Sequence, residues 1–393
     1  MRKTPDAEIE RRLSRLSDRL DRLGVHCAIL FQNVDRFYYS GTAQDGVLLV
    51  RCGGEPVLFV KRTLERARQE SPIQRVVGYL RIREVYEYIA DHGLHTERVG
   101  LEMDTIPAKY YLGLTRFFPS VEFVDISKEI LHQRSVKSEH EIALMREGGL
   151  RLDRVFGQLG ELMRPGMTEY DLFGTVMELF RRQNAILLVR TRSYSMEVLP
   201  VTLLSGPNAA RHSAMDSPSG GGEGVSVAFP AGPGRRVIGK GEPVLIDVAF
   251  NYDGYVIDCT RIFSYGNVGD EHAWAHGVSA GCHDIFREKA RDGVFIPDLF
   301  REIAGYVDRQ GLSDVFMGGV AFIGHGVGLE LDEFPVLSEG FEGRLERGMT
   351  VAFEPKFIYR SGGVGYENTY LIGERGAESL NGFDGAIQAV EGG

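Results

Sequence analysis

LIDVAFNYDGYVIDCTRIF, residues 245–263, contains two strand-like runs joined by Asp253-Gly254. An Asp-Gly pair between such runs signals a type I′ turn, whose two central residues both need positive φ. A two-residue loop sets Tyr252 against Tyr255, Phe250 against Ile257 and Ala249 against Asp258. Asp247 and Asp258 then share one face as diagonal neighbours, roughly 7–8 Å apart at the backbone. Carboxylates are disfavoured in strands, and two on one face repel each other. A solvated edge would tolerate them, but the flanking VLI and VAF argue for a buried hairpin. Buried carboxylates need a cation.

A second stretch repeats the pattern. VAFEPKFIYRSGGVGYENTYLI, residues 351–372, puts Glu354 in an apolar run and Glu367 in the returning strand. Pro355 biases Glu354 toward extended backbone. Between the hairpins, FIGHGVGLELDEFP brackets His325 with Gly324 and Gly326, which remove bulk around the ring. Two Asp, two Glu and one His form a ligand set for two divalent metals held by bridging carboxylates about 3.5–4 Å apart. Oxygen-dominated ligation favours manganese, with cobalt, iron or zinc as the other candidates. Without metal, the crowded negative charge is expected to destabilise the fold.

The rest of the 393 residues sets the context. Glycine is abundant, 49 in all, and 15 of these lie in residues 1–200, leaving 34 for the half that carries every proposed ligand. A net charge of -10 argues against phosphate-backbone binding, so no nucleic-acid partner is expected. Four scattered cysteines without a CxxC pair, and an N-terminus lacking an apolar h-region, point to a reduced, cytoplasmic protein. No stretch reaches the ~18 apolar residues of a membrane span. GRRVIGKG, residues 234–241, imitates a phosphate loop but has Gly241 at the magnesium-binding position and leads into a strand, so it is rejected.

Ile9, Leu13, Leu16, Leu20 and Leu23 form one apolar stripe on a charged helix, read as core packing and not as a coiled-coil seam. Short strand-like runs alternating with helices follow, giving an α/β domain over the first ~130 residues. The polar segment HQRSVKSEH, residues 132–140, places a boundary near residue 133 and divides the chain into 1–133 and 134–393. His272, His276 and His283 fall on one helix, where a solvated face is the favoured reading over a metal pair.

These motifs, in this order, resemble the pita-bread metallopeptidases: Xaa-Pro dipeptidase (prolidase), aminopeptidase P and, more distantly, methionine aminopeptidase. The matching residues are Asp247 and Asp258 in IDVAFNYDGYVIDCTR, His325 in GHGVGLE, Glu354 in FEP and Glu367 in YENT. The resemblance implies a creatinase/prolidase-like α/β N-terminal domain and an α+β pita-bread catalytic domain. It implies two divalent ions per subunit bridged by Asp258 and Glu367, with Asp247 completing one and His325 with Glu354 the other. Glu354 would also shuttle protons for a hydroxide attacking a scissile carbonyl. His212, in SGPNAARHS, matches an upstream histidine that contacts substrate, and homodimerisation is implied as well.

Three positions depart from that pattern. Asp332 replaces a histidine that donates toward the substrate carbonyl, and oxyanion-type donors are worth roughly 10²–10³ in rate. Tyr366 replaces an arginine before the last ligand, and Lys356 replaces the glycine after Glu-Pro. The metal set therefore reads as intact and the substrate-reading residues as altered. The expected function is hydrolysis of a C–N amide bond in a small substrate, foremost a Xaa-Pro peptide. The alternative is a non-peptidase relative acting on a small cationic or carboxylate metabolite, an ectoine-type hydrolase or onium-acid lyase with Asp332 as general base. A non-catalytic binding role fits least, because such relatives lose ligands.

Overall fold

The computed structural model describes residues 2–92, 97–213 and 215–391, which form two compact units, Met1–Arg134 and Ser135–Gly393. The first unit is built on a six-stranded sheet of β1 (Cys27–Leu30), β2 (Gly46–Arg51), β3 (Val57–Val60), β4 (Arg75–Gly78), β5 (Arg98–Leu101) and β6 (Glu122–Asp125). The order is β4-β3-β2-β1-β5-β6, antiparallel through the central β1–β2–β3 ribbon and parallel toward both edges. Leu48, Leu49, Leu58 and Phe59 are buried, so these strands read as continuous apolar runs because both sheet faces are covered. The N-terminal helix, Asp6–Arg22, buries Ile9, Leu16 and Leu20 of the apolar stripe, as core packing requires.

The second unit holds two larger sheets. One takes β7 (Val201–Ser205), β8 (Val244–Tyr252) and β9 (Tyr255–Tyr265); the other takes β10 (Phe322–Gly326), β11 (Glu333–Ser338) and β12 (Thr350–Phe353). A short ribbon of β13 (Phe357–Tyr359) and β14 (Gly362–Val364) precedes β15 (Asn368–Ile372) and β16 (Ala377–Ser379), which join the second sheet. β17 (Gln388–Val390) returns to pair with β9. The sheet orders are β17-β9-β8-β7 and β11-β10-β12-β15-β16.

The hairpin register is the one the Asp-Gly turn dictates: Tyr252 pairs with Tyr255, Phe250 with Ile257 and Ala249 with Asp258. Asp253 and Gly254 both have positive φ, 53° and 100°, which closes the two-residue loop. Leu245, Ile262, Val278, Phe286, Val351, Phe353 and Tyr370 belong to one buried apolar cluster that ties both sheets to the helix Asp270–Lys289. At its centre the Phe286 and Phe353 rings stack 4.2 Å apart.

The sheets also meet directly at β9. Thr260 N donates to Glu367 O at 3.4 Å, and Glu367 N to Thr260 O at 3.2 Å. This backbone exchange fixes the strand carrying Asp258 against the residue just before β15. Gly326, beside His325, lies against the neighbouring strand: a Cβ there would sit 2.0 Å from Phe334 O. Its glycine serves the close approach of two backbones, and not only the space around the imidazole. Gly326→Ala is therefore expected to cost about 1–3 kcal/mol, as overpacking does. Urea unfolding monitored by circular dichroism checks this; an unchanged midpoint would mean that β10 and β11 can separate freely.

Candidate metal centre

Strand alternation and the two hairpins converge five side chains. Asp247 pairs across from Thr260, two positions from the Ala249–Asp258 pair, so both aspartates project from one face of the β8–β9 hairpin. On the other sheet, Phe353 pairs with Asn368, which brings Glu354 and Glu367 together just beyond the paired residues. His325 enters from β10, opposite Ala352. Asp258, Glu354, Glu367 and His325 are all buried, and Asp247 is half-buried. The solvated-edge reading of the aspartates is excluded.

One ligand atom from each of Asp258, His325 and Glu367 lies within 4.8 Å of the others. His325 Nε2 is 3.5 Å from Asp258 Oδ2 and 3.7 Å from Glu354 Oε1. Its Nδ1 lies 3.0 Å from Gly326 O and 3.6 Å from Asp332 Oδ1. The backbone carbonyl favours a proton on Nδ1, leaving the Nε2 lone pair toward the carboxylates, as in carboxylate–histidine–metal arrangements. Glu367 Oε2 accepts from Thr260 Oγ1 at 2.8 Å, whereas the buried Oε1 has no hydrogen-bond partner among the described residues. An orphaned buried carboxylate oxygen beside a histidine and an aspartate fits a divalent cation.

The second half of the site is different. Lys356, fully buried, aims Nζ between Asp247 Oδ2 (3.0 Å), Glu354 Oε2 (2.8 Å) and Glu367 Oε2 (2.9 Å). Ser219 Oγ lies 3.3 Å from the same nitrogen and also hydrogen bonds to Asp247. The residues fit one ion at Asp258, His325 and Glu367; around Asp247 and Glu354 an ammonium holds one oxygen of each carboxylate. Lys356, which from sequence alone is only a departure after Glu-Pro, thus stands among the carboxylates expected to hold the pair of ions. The signal was legible: Pro355 keeps the chain extended, and residues i and i+2 of extended chain share a face. Gly365 permits this packing, since a Cβ there would lie 2.4 Å from Pro355 O.

Burial pushes the Asp258 carboxyl well above the usual range, reinforced by the charges of Glu367, Asp247 and Glu354 and opposed by Lys356. Burial also pushes Glu367 up to about 7, against the pull of Lys356. For Lys356, burial works against the charged form, but Asp247, Glu354 and Glu367 outweigh it and hold the ammonium protonated.

The remaining sequence candidates lie apart from this cluster. His212 is exposed and lines a cavity of about 180 Å³ with Arg211, Asp216, Gly318 and Ile358. No hydrogen bond or ion pair joins it to the carboxylates among the described residues. The Tyr366 ring stacks on His283 at 3.8 Å, with the Arg261 guanidinium 5.6 Å from its centre. His272, His276 and His283 are buried, which corrects the solvated-face reading. His283 contacts Tyr366 O and the Tyr370 hydroxyl, and His276 contacts Gly385 O, so this helix face braces the strand that delivers Glu367.

Comparison with known proteins agrees with this geometry. The model of metallopeptidase family M24 matches residues 143–374, and that of the creatinase/prolidase N-terminal domain matches residues 12–136. The chain belongs to metallopeptidase family M24. It therefore has the creatinase-like α/β domain and pita-bread catalytic domain of that family. Among relatives, a Xaa-Pro dipeptidase from Pyrococcus furiosus is 25% identical over 375 residues, covering 95% of this chain and 98% of its own. An uncharacterized peptidase of Staphylococcus haemolyticus is 24% identical over 380 residues, covering 95% and 99%. Among solved structures, X-Pro aminopeptidase from Thermotoga maritima superposes with a TM-score of 0.81 at 21% identity, covering 96% of this chain and 99% of that one. Prolidase from Pyrococcus furiosus gives 0.77 at 25% identity, with 94% and 99% covered.

The raised carboxyls set a pH dependence. A group whose folded pKa is raised contributes stability below its unfolded value and loses it as pH rises through the folded one, here about 7 for Glu367. A cation replaces the protons, so the stabilisation it gives should grow as pH rises. His283 has the opposite sign, because burial lowers its pKa, but it contributes equally with and without metal. The difference in melting temperature between manganese-loaded and chelator-treated protein is expected to widen from pH 5 to pH 8. A difference that stays flat or narrows would contradict this account of the cluster.

Proposed function

We propose that the chain is a metal-dependent peptidase that hydrolyses Xaa-Pro bonds in small peptides, as a dipeptidase or an aminopeptidase P-like enzyme. The observation that carries this reading is the buried convergence of Asp258, His325 and Glu367 within a chain of this family. The Xaa-Pro dipeptidases among its full-length relatives support the peptide substrate over the ectoine-type or onium-acid alternative. In this reading Asp258, His325 and Glu367 hold a divalent ion, with manganese favoured by the oxygen-rich set. Such an ion supplies Lewis-acid polarisation of a carbonyl and acidifies water.

The chain's own residues do the rest. Glu354, with Oε2 held by Lys356 and Oε1 facing His325, is the proton acceptor and relay to the departing proline nitrogen. Asp247 completes the acidic wall around the ammonium. Asp332 stands beside Nδ1 of His325, so it serves as a positioning carboxylate in place of a substrate donor. His212, on the exposed cavity, takes the substrate-contact role, and Tyr366 acts through the packing that fixes Glu367. A cytoplasmic homodimer belongs to the same proposal; no helix among the described residues is long and apolar enough to cross a membrane.

A substrate panel with manganese added should show turnover of Xaa-Pro dipeptides or longer Xaa-Pro peptides, abolished by chelator and restored by metal. Turnover of onium acids or ectoine-type amides without any peptide cleavage would overturn the reading. Glu354→Gln is expected to lower kcat roughly 10²–10⁴-fold, as loss of a general acid–base does. Activity within a few-fold of the parent would remove Glu354 from the proton relay.

A further inference from the structure

We infer that the ammonium of Lys356 is a resident cation that takes the place of one of two divalent ions, leaving a one-ion centre at Asp258, His325 and Glu367. This rests on the metal-dependent reading above. An ammonium has three N–H donors, and Nζ has three carboxylate oxygens within 3.0 Å, one each from Asp247, Glu354 and Glu367. Ser219 Oγ, 3.3 Å away, is a fourth polar neighbour of the nitrogen. The side chain is wholly buried, so leaving this position would mean abandoning all three charge-assisted bonds at once.

Glu367 shows how the two cations would divide the site. Its Oε2 accepts from the ammonium, and its Oε1, without a hydrogen-bond partner among the described residues, is left for the ion. Glu367 would thus serve an ammonium with one oxygen and offer the other to an ion. A second divalent ion between Asp247 and Glu354 would have to compete with Nζ, which holds Asp247 Oδ2 and Glu354 Oε2. Two cations cannot share those oxygens without close like-charge contact. Lys356 also supplies one positive charge where an ion supplies two, so the centre retains more negative charge than a dinuclear one.

The test is metal content. Metal-free protein is dialysed against excess manganese, and bound metal is counted by mass spectrometry while the paramagnetic resonance spectrum reports whether ions are isolated or coupled. The wild type is expected to bind one ion per chain, with the resolved hyperfine pattern of an isolated ion. Lys356→Gly, which restores space and removes the charge, is expected to bind two, with a coupled spectrum. Lys356→Met, which removes the charge but keeps the bulk, is expected to remain at one. Two coupled ions in the wild type would overturn the inference, as would one ion in Lys356→Gly. If Lys356→Gly does not fold, the wild-type spectrum alone decides between isolated and coupled ions. Binding in Lys356→Gly but none in the wild type would overturn the one-ion centre. Absence of metal from both proteins would instead remove the metal-dependent reading itself.

Discussion

Four carboxylates brought into one buried site are the constraint on which the catalytic unit is organised. Asp247, Asp258, Glu354 and Glu367 come from two hairpins in different sheets, and their mutual repulsion must be offset for those sheets to close on each other. The structure offsets part of it with Lys356, raises the Asp258 and Glu367 carboxyls through burial, and leaves Glu367 Oε1 without a hydrogen-bond partner among the described residues. The apolar cluster around Phe286 and Phe353 supplies the packing that holds the sheets together despite that repulsion. Site and fold are therefore coupled: the backbone exchange between Thr260 and Glu367 is at once a joint between sheets and a wall of the centre.

Much of this was legible in the sequence because its grammar is local. Asp253-Gly254 permits one turn, the turn permits one register, and the register puts Asp247 and Asp258 on one face. The placement of Glu354 and Glu367 followed from the same logic, although the β13–β14 ribbon inserted between their strands was not anticipated. The apolar stripe of the first helix had the same local character.

Readings that depended on what packs from a distance were less accessible. His272, His276 and His283 lie at spacings that suit a solvated helix face, yet Tyr359 and Ser361 cover the first, Gly385 the second, and Tyr366 and Tyr370 the third. Nothing in the helix itself announces its partner. Lys356 is the instructive case. As a letter it was a substitution after Glu-Pro, and only the convergence of Asp247 from the other sheet shows that its ammonium sits among carboxylates. Asp332 likewise acquires meaning from the ring of His325, whose Nδ1 it faces. Family membership alone would carry over the five ligand positions without the lysine that stands among them in this chain.

The central claim is that the centre is completed by one lysine ammonium and one divalent ion. Anomalous diffraction from crystals grown with manganese tests it most directly. The account predicts a single anomalous peak among Asp258, His325 and Glu367, with the Lys356 ammonium between Asp247, Glu354 and Glu367. Two peaks, with the lysine side chain turned away from the carboxylates, would contradict it.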